Sequence, residues 1–157
     1  MPMLLILIAS LLTALPALAQ ERYDNARFGY GVSVPSGFAM VSEGQNGDGR
    51  VYRSQDGRIE LIVWGNRLLA DFETELAERI GADSAEGVVF DSRIETPGWA
   101  MWSGTRAGHV IVQRTILACG GEAAAHLRLQ YGVADRARLD SLAETTARSL
   151  VAPGPCL

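Results

Sequence analysis

The sequence predicts an α+β fold in which an antiparallel β-sheet is covered by helices. Three observations carry that reading. Strand-like segments follow one another through most of the chain, only two segments repeat their apolar residues at helical spacing, and strand and helix do not alternate as a parallel, doubly wound sheet requires.

Phe28, Tyr30, Val32 and Val34 alternate with small or polar residues up to Pro35-Ser36-Gly37, the pattern of a strand with one buried face. Residues 38–43 suit a short second strand, and Gly44 to Gly49 a flexible loop. Residues 50–54 and 58–64 flank Gln55-Asp56-Gly57, which reads as a hairpin turn with Gly57 in the left-handed conformation. Asp71 can cap a helix in which Phe72, Leu76 and Ile80 recur every four residues; Glu73 and Glu75 suit its positive end and Gly81 stops it. Strands follow over 87–94, 99–105, 109–118 and 123–131, with breaks at Pro97-Gly98, Arg106-Ala107-Gly108 and Gly120-Gly121. The last element is a helix over about 136–149, capped by Asp135. Its inward stripe is Leu139, Leu142, Ala143, Thr146 and Leu150, while Arg136, Asp140, Glu144 and Arg148 step along the outside.

Residues 4–15 are almost unbroken aliphatic, and Ala17-Leu18-Ala19 has the small-x-small pattern that a signal peptidase reads. Residues 1–19 are therefore expected to be a signal peptide and residues 20–157 a single α+β domain. The apolar run is short for a membrane span and Pro16 interrupts it, so no stable membrane insertion is expected after the leader is removed. The expected address is the periplasm or the medium. Cys119 and Cys156 are the only cysteines, and in an oxidising compartment they are expected to form one disulfide. The absence of a Cys-x-x-Cys argues against thiol-redox chemistry. The net charge is −4 and all 14 basic side chains are Arg. This lacks the basic excess that nucleic-acid binding demands, and without Lys neither a Schiff base nor a phosphate-binding P-loop lysine is available.

The register of the last four strands indicates which side chains share a face. A three-residue turn at 106–108 would set Thr105 opposite His109, and a two-residue turn at Gly120-Gly121 sets Thr115 opposite His126. Trp99, Met101, Ser103, Thr105, His109, Ile111, Gln113, Thr115, His126, Arg128 and Gln130 then form a mixed face. Ala100, Trp102, Val110, Val112, Ile116, Leu127 and Leu129 form the core face. Arg114 interrupts the core face opposite Leu127. Either an acid meets it there or the register slips locally by one residue, which would exchange the faces.

Recognised catalytic patterns are sparse. His109 and His126 share a face but lie about six residues apart, roughly 20 Å, too far to hold one metal ion. No Gly-x-Ser-x-Gly occurs, and Ser103 with His109 would be a triad on a strand centre, a poor platform for a nucleophile. Asp48 lies in a loop without the regular oxygen spacing of a calcium site. Glu75 and Glu78, three apart on the first helix, read as its exposed acidic face. Trp99, Met101, His126 and Arg128 are instead the residue types that anchor interfaces.

The opening Phe28-x-Tyr30-x-Val32-x-Val34-Pro35-x-Gly37-Phe38, the hairpin, the helix, the meander and the closing helix ending in Ser149-Leu150 resemble the PsbP-like superfamily. That family is named for an extrinsic photosystem II subunit, and the resemblance spans most of residues 23–150. It implies an α/β/α sandwich and, because members of this fold mostly bind or scaffold other proteins, a binding role. The chain lacks the Lys-rich surface and organelle signal of the plant members, so their photosynthetic role is not implied. The expected function is that of a non-catalytic binding or accessory protein of the cell envelope. Its partner would be an envelope protein, its contact residues Trp99, Met101, His126 and Arg128, and it would need no cofactor or metal. The alternative is a periplasmic hydrolase with His109 or His126 as general base.

Overall fold

The computed structural model describes residues 20–157; the expected leader lies outside them. β1 (Glu21–Asn25) and β2 (Tyr30–Val34) form a separate hairpin. β3 (Phe38–Glu43), β4 (Gly49–Ser54), β5 (Ile59–Arg67), β6 (Val89–Glu95), β7 (Trp99–Arg106), β8 (His109–Ala118) and β9 (Ala123–Gly132) form a 7-stranded antiparallel sheet. Its order is β3-β4-β5-β9-β8-β7-β6. β9, the last strand in sequence, inserts at the centre between β5 and β8. Two helices, α1 (Phe72–Ala85) and α2 (Arg136–Arg148), cover opposite faces.

Asp71 caps α1 as its position implies, its side chain accepting a hydrogen bond from the Thr74 amide at 2.8 Å. Gly81 does not stop the helix. α1 runs on to Ala85, and the chain turns at Gly87, whose φ of 89° is left-handed. Asp135 is not a side-chain cap for α2; a short 3₁₀ turn leads in, and Asp135 pairs with Arg138 at 3.1 Å instead. β1 is an addition to the expected elements. Its alternation is short and mostly polar, and only Tyr23 and Asn25 turn inward.

The central strands of the sheet are covered on both sides, while the edge strands β3 and β6 are largely exposed. Leu61 and Val63 of β5, Leu127, Leu129 and Tyr131 of β9 and Val110, Val112 and Ile116 of β8 face Leu139, Ala143 and Ala147 of α2, with the β1–β2 hairpin filling the rest of that layer. The other face is thinner: Phe72, Leu76 and Ile80 of α1 rest on Ala100, Trp102 and Ala124. Three such side chains contribute about 1.5–3 kcal/mol each on burial, so apolar contact alone holds α1 modestly.

The β8–β9 register agrees with the sequence reading, with Thr115 opposite His126 and Arg114 opposite Leu127. β7 is displaced by one residue. Arg106 pairs with His109, so the turn is Ala107-Gly108 alone, with φ of 47° and 79°. A two-residue turn with both φ positive matches strand twist, and here alanine accepts the strained position. The slip puts Trp99 and Met101 on the α2 face and moves Ala100 and Trp102 to the α1 face beside His126 and Arg128. The four expected contact residues therefore do not share one surface.

Cys119, in the turn after β8, is disulfide-bonded to Cys156 in the C-terminal tail, with Cα atoms 5.1 Å apart. The tail is also stitched to the hairpin by paired backbone hydrogen bonds between Gly31 and Val151 at 2.8 and 3.0 Å. Closing a loop of sequence separation 37 restricts the unfolded chain by about 4 kcal/mol in the chain-entropy account. Reduction is therefore expected to lower the free energy of unfolding by about that amount. Urea unfolding with and without reductant measures it, and superimposable curves would contradict the bridge.

Candidate functional site

The α1 face carries a run of buried polar side chains that begins and ends on the helix. Asp83 follows Phe72, Leu76 and Ile80 on the inward stripe and is only 3% exposed. Its carboxylate accepts from Trp102 Nε1 at 2.7 Å and from Arg128 Nη2 at 2.6 Å. Arg128 Nε donates to Gln113 Oε1 at 2.7 Å, and Gln113 Nε2 donates to Thr115 Oγ1 at 3.3 Å. The Thr115 hydroxyl lies 3.0 Å from His126 Nδ1, and His126 Nε2 lies 2.7 Å from Asn66 Oδ1. Arg79 of α1 donates to the same Asn66 oxygen at 3.0 Å and to Glu75 at 2.5 Å, which returns the run to the helix.

From Arg128 to Asn66 each donor points the same way, and the two arginines donate into the run from its ends. The Asn66 oxygen can only accept, which places the His126 proton on Nε2 and leaves Nδ1 to accept from Thr115. The ring is wholly buried and stacks on Trp64 with centroids 4.9 Å apart. Desolvation, and then the nearby Arg79 and Arg128 cations, hold the imidazole pKa well below its ordinary value. Glu75, 3.5 Å from Nε2, is already engaged by Arg79. His126 is thus a neutral structural link.

Beside α1 the same face stays open as a cleft of about 550 Å³ whose lining includes Trp64, Glu78, Arg79, Asp83, Gln113 and Arg128. Asp83 and Gln113 are buried at its base, and the Arg128 side chain is 17% exposed. The base therefore offers a desolvated ion pair and an amide to whatever enters. Such groups orient a polar partner by hydrogen bonding.

Of the residues singled out from sequence, Arg128 reaches the cleft, His126 supports it from beneath, and Trp99 and Met101 pack across the sheet. Glu75 belongs to the relay, with its side chain 13% exposed, and is not on an exposed acidic face. His109 sits at the exposed start of β8, its Nδ1 3.2 Å from the Ala107 carbonyl, six positions from His126 along the sheet because it pairs with Gly132. Ser103 lies on the other face, hydrogen-bonded to Ser92 at 2.9 Å. Gln113 lies on the face its register gave it, whereas Asp83 and Asn66, which carry the ends of the relay, were not expected there. The available signal for Asp83 is its spacing, three residues beyond Ile80 on the same stripe.

No family model matches the chain, and no curated protein matches it in sequence. Solved structures do match in fold. Cyanobacterial PsbP from Synechocystis sp. PCC 6803 is similar over 93% of this chain and 98% of its own, at 15% identity and a TM-score of 0.66. A Mog1 variant is similar over 85% and 96%, at 9% identity and 0.57. LpqN of Mycobacterium tuberculosis, described as involved in cell envelope biogenesis, is similar over 84% of each chain, at 14% identity and 0.53. The chain thus has the PsbP-like fold, as its opening strand and closing helix imply. Among the described residues no helix is long and apolar enough to cross a membrane.

The neutral His126 makes stability depend on pH. Its folded pKa lies below the unfolded value near 6.5, so the unfolded state binds more protons. The stabilisation is complete above about pH 6.5 and is lost as pH falls below it, by up to about 1.4 kcal/mol per unit. His126→Gln is expected to remove this component of the pH profile, as measured by urea unfolding across that range. A wild-type profile that matches the variant's would contradict the assignment.

Proposed function

We propose that this chain is an exported accessory protein of the cell envelope that holds a partner in the cleft beside α1. The observation that carries the reading is the ion pair of Arg128 with Asp83, joined to Gln113, at the base of an open cleft. A buried ion pair adds little stability compared with apolar side chains of equal volume. Its placement at the base of an open cleft suits recognition better than packing. The 1–19 leader pattern and the Cys119–Cys156 bridge support export. A neighbour in fold that is described as involved in envelope biogenesis agrees with the compartment.

The hydrolase alternative gains nothing from the geometry. His126 has both ring nitrogens engaged and no exposed surface, and His109 has only the Ala107 carbonyl beside it. The hydroxyl beside His126 is that of Thr115, and both are wholly buried, so the pair presents no nucleophile to a substrate.

A photo-reactive residue in place of Glu78, at the cleft, is expected to give a discrete crosslinked adduct in the native envelope. The same residue in place of Asp56, at the β4–β5 turn, is expected to give none. Arg128→Met combined with Asp83→Asn, which leaves neither charge buried alone, should abolish the Glu78 adduct while the protein still accumulates. Adducts identical at both positions, or unaffected by the double variant, would overturn the cleft as the recognition site.

A further inference from the structure

All but one of the 14 arginines pair with an Asp or Glu. The exception is Arg114. Its register partners are Met101 on β7 and Leu127 on β9, so the acid that its place in an apolar row calls for is not supplied by the strands beside it. Residues 1–19 contain no Asp or Glu that could supply one either. The side chain is half-buried on the α2 face, its Nε enclosed without a hydrogen-bond partner, and no described residue accepts from the guanidinium. The guanidinium lies over the Trp99 ring, 4.7 Å from its centroid. Burial and the neighbouring Arg148 both press against its charge.

A partly desolvated cation without a counter-charge costs stability, and a fold that pairs every other arginine has left this one open. Met101, its partner across the ladder, and Arg148 line a groove of about 240 Å³ between α2 and strands β6–β8, together with Ile94, Val110 and Val112. The acids at the groove are occupied: Asp91 by Arg136 at 2.7 Å, Asp140 by the Tyr131 hydroxyl at 2.6 Å and Glu144 by Arg148 at 2.7 Å. The last pair is more than half exposed on both sides and is readily exchanged.

We propose that Arg114, resting on Trp99 and flanked by Met101 and Arg148, is the docking point for an acidic side chain of a partner polypeptide. Three features select that ligand. One guanidinium with a second within reach matches a single carboxylate. The indole and thioether around it cover the apolar neighbours of a peptide acid, as interface cores do. The site also sits by the C-terminal end of α2, of which Arg148 is the last residue, and the negative end of the helix dipole disfavours a doubly charged phosphate. This surface is across the sheet from the α1 cleft, so it stands or falls independently of that reading.

The test is an NMR titration of the mature protein, observing the Trp99 Nε1–H and Arg114 Nε–H signals. The probes are the blocked peptide Ac-Glu-Leu-Glu-NH2, its Gln-Leu-Gln counterpart and inorganic phosphate. The glutamyl peptide is expected to shift both signals saturably, with the glutaminyl peptide about tenfold weaker, and Arg114→Met should abolish the Trp99 response. Arg114→Met should also unfold at no lower urea concentration than wild type, because a charge without an internal partner is removed. Absence of a response to the glutamyl peptide would overturn the proposal, as would a phosphate response of equal strength, which marks a free-anion site. A marked fall in the Arg114→Met unfolding midpoint would overturn it too, since Arg114 would then be holding the fold together.

Discussion

The directed run of hydrogen bonds from Arg128 through Gln113, Thr115 and His126 to Asn66 fixes where α1 sits. The helix contributes both ends, Asp83 at one and Arg79 with Glu75 at the other, so it can dock in only one position with every donor satisfied. Each bond made adds only about 0.5–1.5 kcal/mol, but a buried group left without its partner costs about 1–3 kcal/mol. That asymmetry penalises any shift of the helix by a turn or a rotation. The apolar contacts of Phe72, Leu76 and Ile80 supply attraction without such discrimination.

The two layers of the molecule are therefore held by different physics. On the α2 side a large apolar layer, completed by the hairpin and the disulfide-tied tail, joins helix to sheet. On the α1 side a thinner apolar contact is steered by polar links, and the part of the sheet that α1 does not cover becomes the cleft. The Arg128–Asp83 pair serves both purposes, as an anchor for the helix and as the base of the opening. A partner entering the cleft would meet the same groups that position α1. Occupancy and helix position are in that way coupled through one ion pair.

Much of this was legible in the residues. The Asp71 cap, the β8–β9 register and the cysteine pair follow from local chemistry and agree with the structure. What was not legible traces to two small residues. Alanine at 107 gives no sign that it will adopt a positive φ, and the resulting two-residue turn exchanges the faces of β7 relative to β8 and β9. Gly81 looks like a stop, yet its position faces open space and the helix passes through it, carrying Asp83 onto the sheet. The mixed face itself was read correctly for β8 and β9. Its cover was not, because a polar row under a helix and a polar row in water have the same alternation until the helix's own acids are placed.

The central claim is that His126 is a neutral, doubly bonded link in the relay. NMR detection of its ring nitrogens tests this directly. The account requires a proton on Nε2, none on Nδ1, and no change in that state as pH falls about one unit below the ordinary imidazole pKa. A His126 ring that protonates within that range, or that carries its proton on Nδ1, would contradict it.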